Sequence, residues 1–131
     1  MSGICYLDAS ACVKLVAPEP ESDALVENLR DHGEQASSVV VDVEVSRASA
    51  RLGPIAREGA RLLLGTLTLV PMTTEVRTLA RTLPPPALRA LDAIHLATAL
   101  VLGSDLAVFV AYDRRLLDAA ADAGLTVASP T

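Results

Sequence analysis

Four acidic residues carry the chemistry most readily available to this chain: Asp8, Glu44, Asp92 and Asp113. Each interrupts an apolar neighbourhood. Asp8 ends the run Ile4-Cys5-Tyr6-Leu7, and Asp113 lies just past Leu106-Ala107-Val108-Phe109-Val110. Glu44 stands among Val40, Val41, Val43 and Val45, and Asp92 opens the stretch Leu91 to Leu100, which is otherwise almost wholly apolar. A helix apolar on every face is buried on every face, and an unpaired carboxylate is very costly to desolvate. Acids brought to one edge of a sheet repel each other unless a cation sits between them. Oxygen ligands without supporting His or Cys select a hard cation, Mg²⁺ or Mn²⁺. Such an ion serves phosphate chemistry, where it acidifies water and neutralises charge on phosphoryl oxygens. Each acid also has an ordinary reading: Asp8 and Asp113 as helix N-caps, Asp92 as a charge favoured by the helix dipole, and Glu44 paired with Arg47 or Arg51 on a wet face. Four such acids converging on one sheet edge favour a shared site.

The elements that must position them alternate. Ile4-Cys5-Tyr6-Leu7 reads as a buried parallel strand, followed by a helix capped by Ser10 and running through Val16 to a stop at Pro18. A second helix fits Ser22 to Arg30, with Leu25, Val26 and Leu29 on one face. Ala36 to Val39 is a weak strand candidate. Val40 to Arg51 reads as a helix by its length and lack of turn signals, although its Val content would suit a strand. Pro54 suits the first turn of another helix, ending near Leu64. Leu67 to Val70 is a strand, and Thr73 or Thr74 caps a helix carrying Val76, Leu79 and Ala80. Pro84-Pro85-Pro86 is a stiff connector. The Asp92 helix then runs from about Leu88 to Leu102, closed by Gly103. Leu106 to Val110 is the clearest strand. A helix from Arg114 to Ala123 stops at Gly124, and a short strand occupies Leu125 to Val127. Strands apolar on both faces alternating with helices predict an α/β domain with a central parallel sheet. In such sheets sites form beyond the carboxyl ends of the strands, which is where Asp8 and Asp113 fall. Asp92 faces the same edge if its helix starts there.

Length and composition fit one compact domain spanning residues 1–131. The net charge of −5 and 2% aromatic content exclude a general polyanion binder and a platform of base-stacking aromatics. Cys5 and Cys12 make neither a zinc spacing nor a disulfide framework and read as small buried hydrophobes. No apolar run reaches membrane-spanning length. Met1-Ser2-Gly3 leads into a strand-like segment rather than a signal peptide. A cytoplasmic protein is the expectation.

Four segments together resemble a known family. Tyr6-Leu7-Asp8-Ala9-Ser10-Ala11, Val43-Glu44-Val45-Ser46-Arg47-Ala48, Leu91-Asp92-Ala93-Ile94-His95-Leu96-Ala97-Thr98-Ala99 and Ala111-Tyr112-Asp113-Arg114-Arg115-Leu116 are similar, in order and spacing, to the PIN-domain ribonucleases. Within that family they most resemble the VapC-type toxins of bacterial toxin–antitoxin pairs. The resemblance implies a three-layer α/β/α sandwich around a mostly parallel sheet. It also implies an acidic pocket holding Mg²⁺ or Mn²⁺ through Asp8, Glu44, Asp92 and Asp113, with Ser10 on the small hydroxyl position near the metal. It further implies a homodimer and a cognate antitoxin whose C-terminal segment lies over the apolar helices near the site, at 9–16, 22–30 and 40–51. Ala111 departs from the pattern, since members commonly carry Thr or Ser there.

Arg47 and Arg51 share a face of the Glu44 helix, and Arg114 and Arg115 follow Asp113. All four are candidates for RNA backbone contact. Arg57 with Arg61 and Arg77 with Arg81 read as solvated pairs. His95, one turn after Asp92, would serve as a general base or, more ordinarily, as a satisfied buried His. His32 reads as solvated, and Lys14, one turn after Ser10, as a surface residue with an approach to the pocket as its alternative. The function expected is a metal-dependent endoribonuclease acting as a toxin. The alternative is a non-catalytic interaction module keeping the fold. A phosphoacceptor receiver domain is a weak rival, since no Lys follows Lys14 and the strand at 67–70 ends in Val70-Pro71 rather than Asp.

Overall fold

The structure, a computed structural model, describes residues 3–131, so the expectation resting on Met1 and Ser2 lies outside the described residues. The strands β1 (Ile4–Leu7), β2 (Glu34–Ser38), β3 (Thr68–Val70), β4 (Leu106–Val110) and β5 (Val127–Ala128) form one sheet in the order β3-β2-β1-β4-β5. Every neighbouring pair is parallel. The helices are α1 (Ala9–Val16), α2 (Ser22–Leu29), α3 (Val40–Ala50), α4 (Pro54–Thr66), α5 (Thr74–Ala80), α6 (Ala90–Val101) and α7 (Arg114–Asp122).

Pleating sends successive side chains of a strand to opposite faces, and here both faces are buried. Cys5, Leu7, Val108 and Val110 enter one core with Cys12, Leu25, Val41, Val45 and Ala60 of α1 to α4. Tyr6, Phe109 and Ala111 enter the other with Leu96 and Ala99 of α6 and Leu116 and Ala120 of α7. Tyr6 lies flat on Phe109 with ring centroids 5.3 Å apart. The result is the expected three-layer α/β/α sandwich.

The chain lays β1, β2 and β3 outward to one side, then returns to place β4 and β5 on the other. The reversal lies between β1 and β4, and in parallel sheets ligand sites form outside the carboxyl ends of the strands at such a point. Asp8 leaves β1 at this point, its amide bonding the Val110 carbonyl at 3.2 Å.

Several boundaries differ from the sequence expectation. β2 begins at Glu34, not Ala36. Little in Glu34-Gln35-Ala36-Ser37-Ser38 favours a strand, but ladders to β1 and β3 on both sides hold it extended. Ser10 is not the cap of α1, because Asp8 takes that role and the helix starts one residue earlier than Ser10. α4 runs two residues beyond Leu64, and α6 occupies Ala90–Val101 rather than reaching Leu88 and Leu102. The last strand is Val127–Ala128, since Val127 and Ala128 are the residues that pair with Phe109 and Val110.

Candidate active site

Asp8 is 3% exposed, the one acidic residue among the buried polar groups of the described chain. Its Oδ1 accepts from the Ser10 hydroxyl at 2.7 Å and from the Ala11 amide at 3.0 Å. Ser10 in turn accepts from the Tyr112 amide at 3.0 Å, so the loop after β4 is tied through Ser10 to the carboxylate after β1. Asp113 repeats the pattern across the reversal, its Oδ1 accepting from the Arg115 amide at 2.8 Å and the Leu116 amide at 3.1 Å. Both acids are therefore helix caps, which leaves the shared-site reading open: a cap fixes the carboxylate where the strand delivers it.

Asp92 lies in the first turn of α6, half-buried. Glu44 lies one turn into α3, and its Oε1 pairs with His95 Nε2 at 2.7 Å rather than with Arg47 or Arg51. His95 is 1% exposed, and its Nδ1 meets the Tyr6 hydroxyl at 2.7 Å. The Tyr6 oxygen also accepts from the Ser38 amide at 2.9 Å. A hydrogen-bonded chain thus joins β2, β1, α6 and α3. His95 is the satisfied, buried histidine of the ordinary reading.

The acids feel one another. Burial pushes the Asp8 carboxyl above the ordinary carboxylate range, against the bonds from Ser10 and Ala11, and the negative charge of Asp92 adds to the rise. Asp92 is raised too, first by burial and then by Asp113, with Glu44 contributing further and His95 and Arg89 opposing. Like charges so arranged repel, and each raises the pKa of its neighbour. Among the described residues no three acidic, His or Cys side chains are gathered closely enough to hold an ion as they stand. The donor chemistry nonetheless suits a hard divalent ion. All four donors are carboxylates. In Asp8, Glu44 and Asp113 the hydrogen bonds from the protein land on one oxygen, Oδ1 or Oε1, and the second oxygen of each stands beside it.

Arg47 and Arg51 are exposed and line, with Glu44 and Ser46, an open hollow of about 590 Å³. Arg114 and Arg115 are exposed at the start of α7, and Arg115 borders a smaller pocket of about 260 Å³ with Pro85, Leu88 and Asp118. Two expectations need correction. Lys14 is not an open surface residue: its side chain is 11% exposed, held by Glu21 at 2.9 Å and Glu19 at 3.6 Å, with Nζ 4.6 Å from the Tyr112 ring centre. His32 is half-buried, with Nδ1 shut off from water and unpaired. Ala111 is fully buried against the α6–α7 core. Sequence reasoning missed Arg89, whose position one turn before Asp92 was the available signal. It also missed Tyr6, a hydroxyl in an apolar strand, where burial demands a hydrogen-bond partner.

A family model described as the PIN domain matches residues 5–122. Ribonuclease VapC46 of Mycobacterium tuberculosis is 47% identical over 126 residues, covering 96% of this chain and 97% of that protein. The chain belongs to the PIN-domain family, among the VapC ribonucleases. This PIN domain also superposes on solved structures. The crystal structure of VapBC2 from Rickettsia felis, bound to a DNA fragment from its promoter, matches with a TM-score of 0.75 at 14% identity, covering 98% of this chain and 99% of that one. A toxin–antitoxin complex from Klebsiella pneumoniae matches with a TM-score of 0.74 at 19% identity, covering 97% and 98%. At such identities the likeness speaks for the fold.

Proposed function

We propose that this PIN domain is a metal-dependent endoribonuclease and the toxin of a type II toxin–antitoxin pair, working in the cytoplasm. The observation that carries the reading is the Asp8 carboxylate buried at the β1–β4 reversal, its pKa raised first by burial and further by the charge of Asp92, against the opposing pull of Ser10, Ala11 and His95. Asp8, Asp92, Asp113 and Glu44 would hold Mg²⁺ or Mn²⁺. When bound, the ion supplies charge neutralisation at a phosphodiester and acidifies water for in-line attack. The rest falls to the chain. Asp8 and Asp113 are fixed by helix-start amides, so they need little reorganisation. Ser10 orients Asp8 through its hydroxyl. Arg47 and Arg51, beside Glu44, and Arg114 and Arg115, beside Asp113, would meet RNA phosphates. With Tyr6 stacked in the core, RNA would be chosen by shape and backbone more than by base stacking.

Val43 of α3, Leu52 in the turn between α3 and α4, and Ile55 and Leu62 of α4 stand exposed. An apolar surface of that kind marks a protein partner, here the antitoxin or the second subunit of a homodimer. No helix among the described residues is long and apolar enough to cross a membrane. The test is cleavage of a structured RNA in Mg²⁺ by the wild type, by Asp92→Asn and in EDTA. Cleavage only by the metal-loaded wild type supports the reading. Undiminished cleavage by the variant removes the site, and an inactive wild type favours a non-catalytic module on the same fold.

A further inference from the structure

One buried group has no place in the acidic set yet touches it. His95 is shut away from solvent on α6, while Glu44 belongs to α3 on the other side of the sheet, and their contact links the two helical layers at the carboxyl edge. The direction of the chain that reaches it follows from its first link. The Ser38 amide can only donate, so the Tyr6 oxygen accepts there at 2.9 Å. The phenol keeps its proton, because burial pushes its pKa far above the ordinary tyrosine value. With that proton on the 2.7 Å contact to His95, Nδ1 is the acceptor. An Nδ1 that accepts leaves the ring proton on Nε2, where the carboxylate oxygen Oε1 of Glu44 lies at 2.7 Å to receive it.

We propose that His95 is a positioning residue, locked by the Tyr6 hydroxyl in its Nε2–H tautomer so that it commits Oε1 of Glu44 and leaves Oε2 to serve as the ligand. A group that fixes one oxygen of a metal-binding carboxylate fixes the orientation of the whole group, and loss of such partners costs 10–100-fold in metal affinity. The placement also explains a polar ring in an otherwise aliphatic interior. Tyr6 and His95 meet edge to face, centroids 5.8 Å apart, and Tyr6 is clamped by Phe109 on its flat side. The ring therefore cannot turn to present Nδ1 to Glu44 without giving up its bond to the phenol.

This inference rests on Glu44 being a metal ligand, and the test separates the two. The long-range ¹H–¹⁵N spectrum of the metal-free wild type, with His32→Gln used for assignment, reads the tautomer directly. Nε2–H on His95 is expected; Nδ1–H or a doubly protonated ring would overturn the relay. Mn²⁺ binding, measured by electron paramagnetic resonance of the free ion, is then compared between two amides. In His95→Gln the amide takes the place of Nε2 and can donate to Glu44. In His95→Asn it takes the place of Nδ1, meets Tyr6 and leaves Glu44 without a donor. The expectation is near wild-type Mn²⁺ affinity for His95→Gln and a 10–100-fold loss for His95→Asn. A merely structural histidine would not rank the two this way, and equal affinities would overturn the proposal. Glu44→Gln must itself weaken Mn²⁺ binding and must abolish the difference between the two amides. If Glu44→Gln binds Mn²⁺ like the wild type, the assignment of Glu44 as a ligand fails, and the purpose of the relay with it.

Discussion

Removing the Tyr6 hydroxyl tests whether the buried hydrogen-bonded chain holds the carboxyl edge together. In Tyr6→Phe the ring keeps its volume and its stacking on Phe109, so packing is unchanged and only one oxygen is lost. That oxygen serves two buried groups, the Ser38 amide and His95 Nδ1. A buried polar group left without a partner costs roughly 1–3 kcal/mol, so the two together amount to about 2–6 kcal/mol. Tyr112→Phe is the internal control. Its hydroxyl donates to the Pro130 carbonyl at 2.7 Å from a half-buried position where water can substitute. An ordinary hydrogen bond of that kind is worth about 0.5–1.5 kcal/mol. Urea unfolding of wild type and both variants measures the difference. The slope with denaturant should stay constant, because neither change alters the surface exposed on unfolding. Tyr6→Phe is expected to lower stability several times more than Tyr112→Phe. Equal losses at constant slope would refute the reasoning, since they would mean that Ser38 and His95 find other partners at little cost.

Three further outcomes follow from the same geometry. Asp113→Asn keeps an oxygen to accept from the Arg115 and Leu116 amides, so its unfolding midpoint should match wild type while RNA cleavage is lost; Asp113→Ala should lose cleavage and also about 1 kcal/mol of stability. The metal-free protein should lose stability as pH rises. Asp8 and Asp92 have folded-state pKa values above their unfolded values, so the folded chain binds more protons between the two. The loss begins in the ordinary carboxylate range and is complete above the raised values, and saturating Mn²⁺ should flatten the profile of melting temperature against pH. Replacing both Arg47 and Arg51 with Ala should weaken binding of single-stranded RNA and reduce the slope of log affinity against log salt by about 1.4, on the basis of roughly 0.7 per phosphate contact. An unchanged slope would place the RNA elsewhere.

The strands carrying Asp8 and Asp113 were legible because buried parallel strands read as unbroken apolar runs, and Leu106–Val110 has the same bounds in sequence and structure. β2 was harder, since its polar residues are held extended by neighbours on both sides and not by their own preference. The acidic positions were visible as charges against apolar backgrounds. Their ordinary role and the proposed one proved compatible, because Asp8 and Asp113 cap helices at the same edge where the strand order reverses. The partner of Glu44 was not legible. His95 is 51 residues away in sequence, and only the packing of α3 and α6 around the sheet edge brings the two together. For the same reason Tyr6 gave no sign of its second partner, Ser38, which belongs to the strand least evident in the sequence.

The central claim is that carboxylates from four separate elements share one divalent ion, and crystals grown in Mn²⁺ test it most directly. Anomalous diffraction is predicted to show manganese bounded by Asp8, Asp92 and Asp113, with Glu44 at the same pocket and its Oε1 still on His95. Manganese bound only elsewhere on the surface, with these four carboxylates free of it, would contradict the account.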